Sequence, residues 1–225
     1  MEGEEVKIIM KILKMLLLTT LVVLCVSSMA SAAAVGDSWV YCMRAAGVTG
    51  ATAADMNSWF TFTGAVGNSS AAVTAPGVPA NEYGLYISSN VPVVGIRTGT
   101  FSVNLPANGT YEVFAAWGAT TSAKTNAKHV VTYAGGATNT VLFDQLAAAN
   151  KNVWKSLGTY AFLTGAGNNA KVMLTNDNQT TSGSLYLGAV KFTLKTIDPV
   201  PEPSGLIALG TGLLGMVGLM RKRRA

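Results

Sequence analysis

Apolar and polar positions alternate with a period of two through much of the middle of the chain. Tyr111, Val113, Ala115 and Trp117 fall on one side of an extended segment, and Thr110, Glu112 and Phe114 on the other. This is the pattern of a half-buried strand, whose successive side chains point to opposite faces. The same alternation predicts strands at residues 99–105, where Phe101, Val103 and Leu105 share a face, and at 128–133, where Val131 and Tyr133 do. Further strands are predicted at 57–64, 140–143, 157–162 and 170–174, with a short one at 83–88 inside an Ala/Pro/Gly/Asn-rich loop covering 71–90. A last strand is predicted with Tyr186, Gly188, Val190, Phe192 and Leu194 on its inner face.

Turn chemistry separates these runs. Asn108-Gly109 follows Pro106-Ala107, a strong short-range hairpin signal, and Gly135-Gly136 turns the chain between two strands. Helical periodicity is confined to 45–56 or 145–152, each long enough for a turn or two. Short strands at regular spacing with polar turns predict an all-β fold, an antiparallel β-sandwich of jelly-roll type. No fixed-period repeat is visible, which argues against a solenoid.

Both ends break the pattern. Lys11 and Lys14 precede an apolar run over residues 15–26, and small residues ending in Ala30 and Ala32 supply an A-x-A cleavage site. Residues 1–32 therefore read as a signal peptide for the Sec translocon. The acids Glu2, Glu4 and Glu5 are wrong for its start, so translation is expected to begin at Met10. Residues 33–54 form a lead-in, 55–195 the sandwich and 196–204 a linker.

At the other end, residues 205–220 are sixteen uncharged residues followed by Arg221, Lys222, Arg223 and Arg224. At ~1.5 Å per residue that helix spans about 24 Å, less than the ~30 Å hydrocarbon core. Five glycines weaken it further. It reads as a transmembrane stop-transfer helix with a basic cytoplasmic end at 221–225, too short for a comfortable permanent anchor. Before it stand Val200, Pro201, Glu202, Pro203 and Ser204. Proline fixes φ and lacks an N–H, so this stretch joins neither helix nor ladder and stays accessible at the outer membrane surface.

Charge then changes meaning. The whole chain carries +5, yet between residues 33 and 203 nine bases (Arg44, Arg97, Lys124, Lys128, Lys151, Lys155, Lys171, Lys191, Lys195) face eight acids (Asp37, Asp55, Glu82, Glu112, Asp144, Asp177, Asp198, Glu202). The folded part is nearly neutral, and no basic cluster suits nucleic acid.

Catalytic and metal signatures are absent. His129 is the only histidine and sits among Val130, Val131 and Tyr133, as a strand residue would. With the signal removed, Cys42 is the only cysteine, so no internal disulfide and no zinc spacing exist. Asn176, Asp177 and Asn178 make an oxygen-rich loop, read as an ordinary polar hairpin loop in preference to a calcium site. No cofactor or metal is expected. Of the four tryptophans, Trp39 and Trp59 are the candidates for stacking on a sugar.

Two resemblances follow from these motifs. The opening Val200-Pro201-Glu202-Pro203-Ser204, the short span and the basic end together are similar to the PEP-CTERM sorting signal of Gram-negative bacteria. That likeness implies an exosortase as partner, transient residence in the inner membrane, and delivery to the cell surface or extracellular space alongside exopolysaccharide in biofilm formers. The second is carried by the Gly109–Val113 run with Trp117, by Asp144-Gln145, by Trp154, Leu157, Gly158, Tyr160 and Phe162, and by Ala189-Val190-Lys191-Phe192. Residues 55–194 so resemble the golvesin-type domain, also called the xanthan-lyase carbohydrate-binding-like domain. That resemblance implies a jelly-roll module appended to secreted bacterial proteins. One departure stands out: such domains carry an acid before the final Ala-Val, where this chain has Gly188. The expected role is a non-enzymatic, structural or exopolysaccharide-associating exported protein. The alternatives are a small secreted polysaccharide-active enzyme or a self-assembling adhesion protein.

Overall fold

A computed structural model of the chain describes residues 33–44, 52–88, 95–165, 170–177 and 183–198. The signal peptide and sorting tail, with Ala30, Ala32, residues 200–204 and 221–224, lie outside the described residues. So do the transmembrane helix expected at 205–220 and Asn178. Among the described residues no helix is long and apolar enough to cross a membrane.

Among the described residues twelve strands follow in chain order: β1 (Ser38–Cys42), β2 (Phe60–Thr63), β3 (Gly67–Ala72), β4 (Tyr83–Ser88), β5 (Thr98–Val103), β6 (Gly109–Ala116), β7 (Ala127–Thr132), β8 (Thr138–Phe143), β9 (Lys155–Phe162), β10 (Ala170–Thr175), β11 (Ser184–Leu187) and β12 (Ala189–Ile197). They form a four-stranded sheet β1-β12-β6-β9, a five-stranded sheet β2-β5-β10-β7-β8 and a three-stranded sheet β11-β4-β3. Every pairing between these strands is antiparallel. Within the stretches where a helical turn is expected, the described residues form 3-10 turns at Ala53–Asp55 and Ala148–Asn150, while 45–51 lie outside the described residues.

The two larger sheets bury the faces that the alternation marked. Tyr111, Val113 and Ala115 of β6 and Val190, Phe192 and Leu194 of β12 are buried on one sheet; Phe101 and Val103 of β5 and Val172 and Leu174 of β10 are buried on the other. Side chains of both sheets line one internal apolar cavity, among them Phe101, Val172, Ala115 and Val190. The fold is thus all-β and sandwich-like. Aromatic rings knit the core edge to face: Phe162 meets Phe192 at 5.7 Å and Tyr111 at 5.9 Å. Such pairs add about 0.5–1.5 kcal/mol each beyond their burial.

Three features depart from the sequence reading. The lead-in is not separate from the sandwich, because β1 pairs with β12 from Ser38↔Thr193 to Cys42↔Ala189. The loop expected at 71–90 is preceded by a strand, β3, built from Gly, Asn, Ser and Ala with a register shift between Asn68 and Ala72. The last predicted strand is two strands. The chain leaves the three-stranded sheet at Leu187 and enters the four-stranded sheet at Ala189, with Gly188 at the corner. A Cβ at Gly188 would lie 2.3 Å from the Ala116 carbonyl oxygen and 2.8 Å from Val73 Cγ2. Backbone passes too close there for any side chain, which accounts for the missing acid.

A polar cleft at the three-stranded sheet, the candidate functional site

Beside the three-stranded sheet the structure forms a cleft of about 330 Å³. Its walls are β3, β4 and β11 together with the loop 119–122 that follows β6. Two tyrosines sit in it, Tyr86 on β4 and Tyr186 on β11, cross-strand partners whose rings lie 6.0 Å apart. Both are held in place. A Cβ on Gly67 would fall 2.3 Å from Tyr86 Cζ, so the β3 backbone lies flat on that ring. The Tyr186 hydroxyl hydrogen-bonds the Ser122 hydroxyl at 2.7 Å. Gln145, fully buried, clamps the Tyr186 backbone from both sides: its amide donates to the Tyr186 carbonyl at 2.8 Å, and its oxygen accepts from the Tyr186 N–H at 2.9 Å.

The remaining lining is mostly hydroxyl and amide, with Asn68, Ser70, Thr120 and Ser122 beside Ala71 and Ala119, and among the described residues no charged side chain lines it. Two charges are turned into the walls. Arg44, 2% exposed, donates from Nη2 to Asn68 Oδ1 at 2.6 Å. Lys151 Nζ donates to the Thr120 carbonyl oxygen. The arrangement offers donors and acceptors beside aromatic faces, chemistry suited to binding a polar ligand.

Behind Asn68 lies a buried ionisable cluster. The Arg44 N–H reaches Glu82 Oε1 at 3.5 Å, and among the described residues Arg44 Nε and Nη1 have no hydrogen-bond partner. Burial pushes the Glu82 carboxyl up to about 7, against the pull of the Arg44 N–H and guanidinium. Burial, with Glu82 nearby, also pushes the Cys42 thiol up to about 12. At neutral pH that thiol is protonated and unreactive.

The residues singled out by sequence lie elsewhere. Trp39 and Trp59 are half-buried. Trp39 meets Tyr111 at 6.0 Å on the inner side of β1, while Trp59 donates from Nε1 to the Cys42 carbonyl at 2.8 Å and packs its ring against Tyr41. Neither lines the cleft. His129 is 4% exposed, deeper than half-buried, with its ring 5.8 Å from Trp117 and 5.6 Å from Phe143. Its burial drives its pKa down to about 4, so it is neutral at physiological pH. Asn176 and Asp177 serve the fold: Asn176 Oδ1 accepts from the Arg97 N–H at 2.7 Å, and Asp177 pairs with Lys128 at 3.0 Å. Among the described residues no group of three acidic, His or Cys side chains could hold a metal ion. Sequence reasoning missed the cleft because Gly67-Asn68-Ser69-Ser70-Ala71-Ala72 carries neither alternation nor aromatics; Tyr86 and Tyr186 were the available signal.

The model of the golvesin C-terminal domain matches residues 51–194. The chain belongs to that family. The model of the PEP-CTERM protein-sorting motif matches residues 199–224, which implies export, a surface destination and exosortase-mediated processing. Among curated proteins, a xanthan lyase of Bacillus sp. (strain GL1) is 35% identical over 114 residues, 50% of this chain and 12% of that protein. Among solved structures, Paenibacillus xanthan lyase aligns over 73% of this chain and 13% of its own at a TM-score of 0.52 and 26% identity. The chain thus spans about an eighth of either relative. The CBM22-1 xylan-binding domain from Paenibacillus barcinonensis covers 73% of this chain and 99% of its own length, at a TM-score of 0.38 and 15% identity.

Proposed function

We propose that this golvesin-family domain is a non-catalytic component of the cell surface or extracellular matrix that associates with exopolysaccharide. The observation that carries the reading is the pairing, in one chain, of a golvesin domain with a PEP-CTERM motif. Supporting it, the one histidine is buried as a neutral core residue, and the cleft is lined by neutral polar groups.

In this reading the Sec translocon exports the chain, and cleavage follows Ala30 and Ala32. The tail then halts in the inner membrane with Arg221, Lys222, Arg223 and Arg224 on the cytoplasmic side. An exosortase recognises Val200-Pro201-Glu202-Pro203-Ser204 and releases the domain outward. The test is fractionation of the host with and without its exosortase. The protein moves from surface and medium to the inner membrane when the exosortase is removed, and surface protein co-purifies with the host polysaccharide. An unchanged distribution would end the sorting reading; polysaccharide-free protein would end the association.

A self-assembling adhesion role is favoured by one feature. Strand β8 is a sheet edge, its sequence Thr138-Asn139-Thr140-Val141-Leu142-Phe143 has no charge or proline, and Leu142 is 59% exposed. Such an edge can pair with another chain. Concentration-dependent sedimentation that Leu142→Lys abolishes would establish that reading.

A further inference from the structure

Resting on the polysaccharide reading, we propose that the cleft between Tyr86 and Tyr186 is the binding subsite, and that it takes an uncharged pyranoside from a neutral stretch of glycan.

The chemistry of the lining selects the ligand class. Serine and threonine hydroxyls both donate and accept, as sugar hydroxyls do, so each can satisfy the other in either sense. Tyr86 adds an aromatic face for the C–H side of a sugar ring, with its hydroxyl as a polar handle. An apolar ligand would cut the Ser70 hydroxyl off from water without replacing its hydrogen bonds, which disfavours it. A carboxylate would fare worse, because among the described residues no cation lines the cleft to replace its hydration. Two cations that reach its lining are already committed, Arg44 to Asn68 and Lys151 to the Thr120 carbonyl.

Arg44 also organises the site. By donating to Asn68 Oδ1 it fixes which end of that amide is engaged, leaving the NH2 group as the end available to a ligand. Tyr186 is likewise fixed, by Gln145 on its backbone and Ser122 on its hydroxyl. A lining held by groups behind it loses little freedom on binding, which favours affinity. The volume, about 330 Å³, lies at the lower end of the ~300–1,000 Å³ range for small-ligand sites. It accommodates a short stretch of one glycan strand and not a crystalline surface.

Calorimetry on the exported protein from its host tests this with neutral probes (cellohexaose, xylohexaose, mannohexaose) and an anionic one, hexagalacturonate. At least one neutral probe should bind tenfold or more tighter than hexagalacturonate, with affinity unchanged in about 0.5 M NaCl, where surface charge interactions are screened. Tyr86→Ala should weaken that binding tenfold or more, Asn68→Ala and Ser122→Ala severalfold, and Trp59→Ala not at all. Circular dichroism of each variant separates lost binding from lost fold, and Tyr86→Phe, which keeps the ring, should retain most of the affinity. Preference for hexagalacturonate with strong salt dependence would overturn the neutral assignment. Retention on the host polysaccharide that survives both Tyr86→Ala and Asn68→Ala would overturn the cleft while leaving the association intact. Failure of the unaltered protein to be retained there would instead remove the reading beneath it.

Discussion

His129 and Glu82 are buried to nearly the same depth, 4% and 3% exposed, in opposite company. His129 stands in the sandwich core between Trp117 and Phe143, with the Ala127 carbonyl 3.2 Å from its Nδ1. Glu82 stands behind the cleft with the Arg44 guanidinium nearby. A partner of opposite charge would be expected to keep Glu82 ionised, yet its pKa rises to about 7 while that of His129 falls to about 4. Desolvation decides both cases. The 3.5 Å bond to Glu82 comes from the Arg44 backbone N–H while the guanidinium donates to Asn68, and their combined pull does not replace the hydration that Glu82 loses. In this molecule depth controls charge more than neighbours do.

The largest effect comes from opening the core side of that comparison. Trp117 is wholly buried against the His129 ring, so Trp117→Ala should cost about 3–5 kcal/mol in urea unfolding. It should also raise the His129 pKa toward its ordinary value as water enters, seen in an NMR titration. The corner between the two regions comes next. Gly188→Ala forces a methyl group against the Ala116 carbonyl and should destabilise by about 1–3 kcal/mol, the usual cost of overpacking.

The two buried groups then make opposed predictions about pH. Glu82 holds its proton in the folded state up to about 7 but releases it near 4.5 when unfolded. Between those values the folded chain binds more protons, so its contribution to stability falls as pH rises. His129 refuses its proton until about 4 when folded and accepts it near 6.5 when unfolded. Its contribution falls as pH drops through the same window. The two offset each other, and between pH 4.5 and 6.5 their joint contribution to Tm should be nearly level. Glu82→Gln should expose the histidine slope, with Tm falling by several degrees on acidification. His129→Phe should expose the reverse slope, with Tm falling as pH rises toward 7. Parallel slopes in both variants would contradict the assignment.

The smallest effect is an absence. With its thiol near 12 and its side chain buried, Cys42 should resist iodoacetamide at pH 8 in the native protein and react only in denaturant. Covalent dimers on a non-reducing gel would contradict this.

The same contrast explains what could be read in the sequence. Core strands announce themselves: Tyr111, Val113 and Ala115 of β6 and Val190, Phe192 and Leu194 of β12 alternate because one face must leave water. Trp117, on the apolar side of the same alternation, is wholly buried. The cleft borders β3, a strand with no apolar stripe, held by pairing with β4 and by the flat approach of Gly67 to Tyr86. Its residues come from four separate stretches of the chain, and only the fold joins Asn68, Tyr86, Ser122 and Tyr186. The break at Gly188 was hidden because alternation runs unchanged through the corner where the chain changes sheets.

The most direct test is affinity electrophoresis of the exported protein through gels containing its host's own exopolysaccharide. Mobility should fall as polymer concentration rises, with polymer length unchanged, as for a module that holds the glycan without cutting it. Unretarded migration at every polymer concentration, or shortening of the polymer during the run, would contradict a non-catalytic, polysaccharide-associating domain.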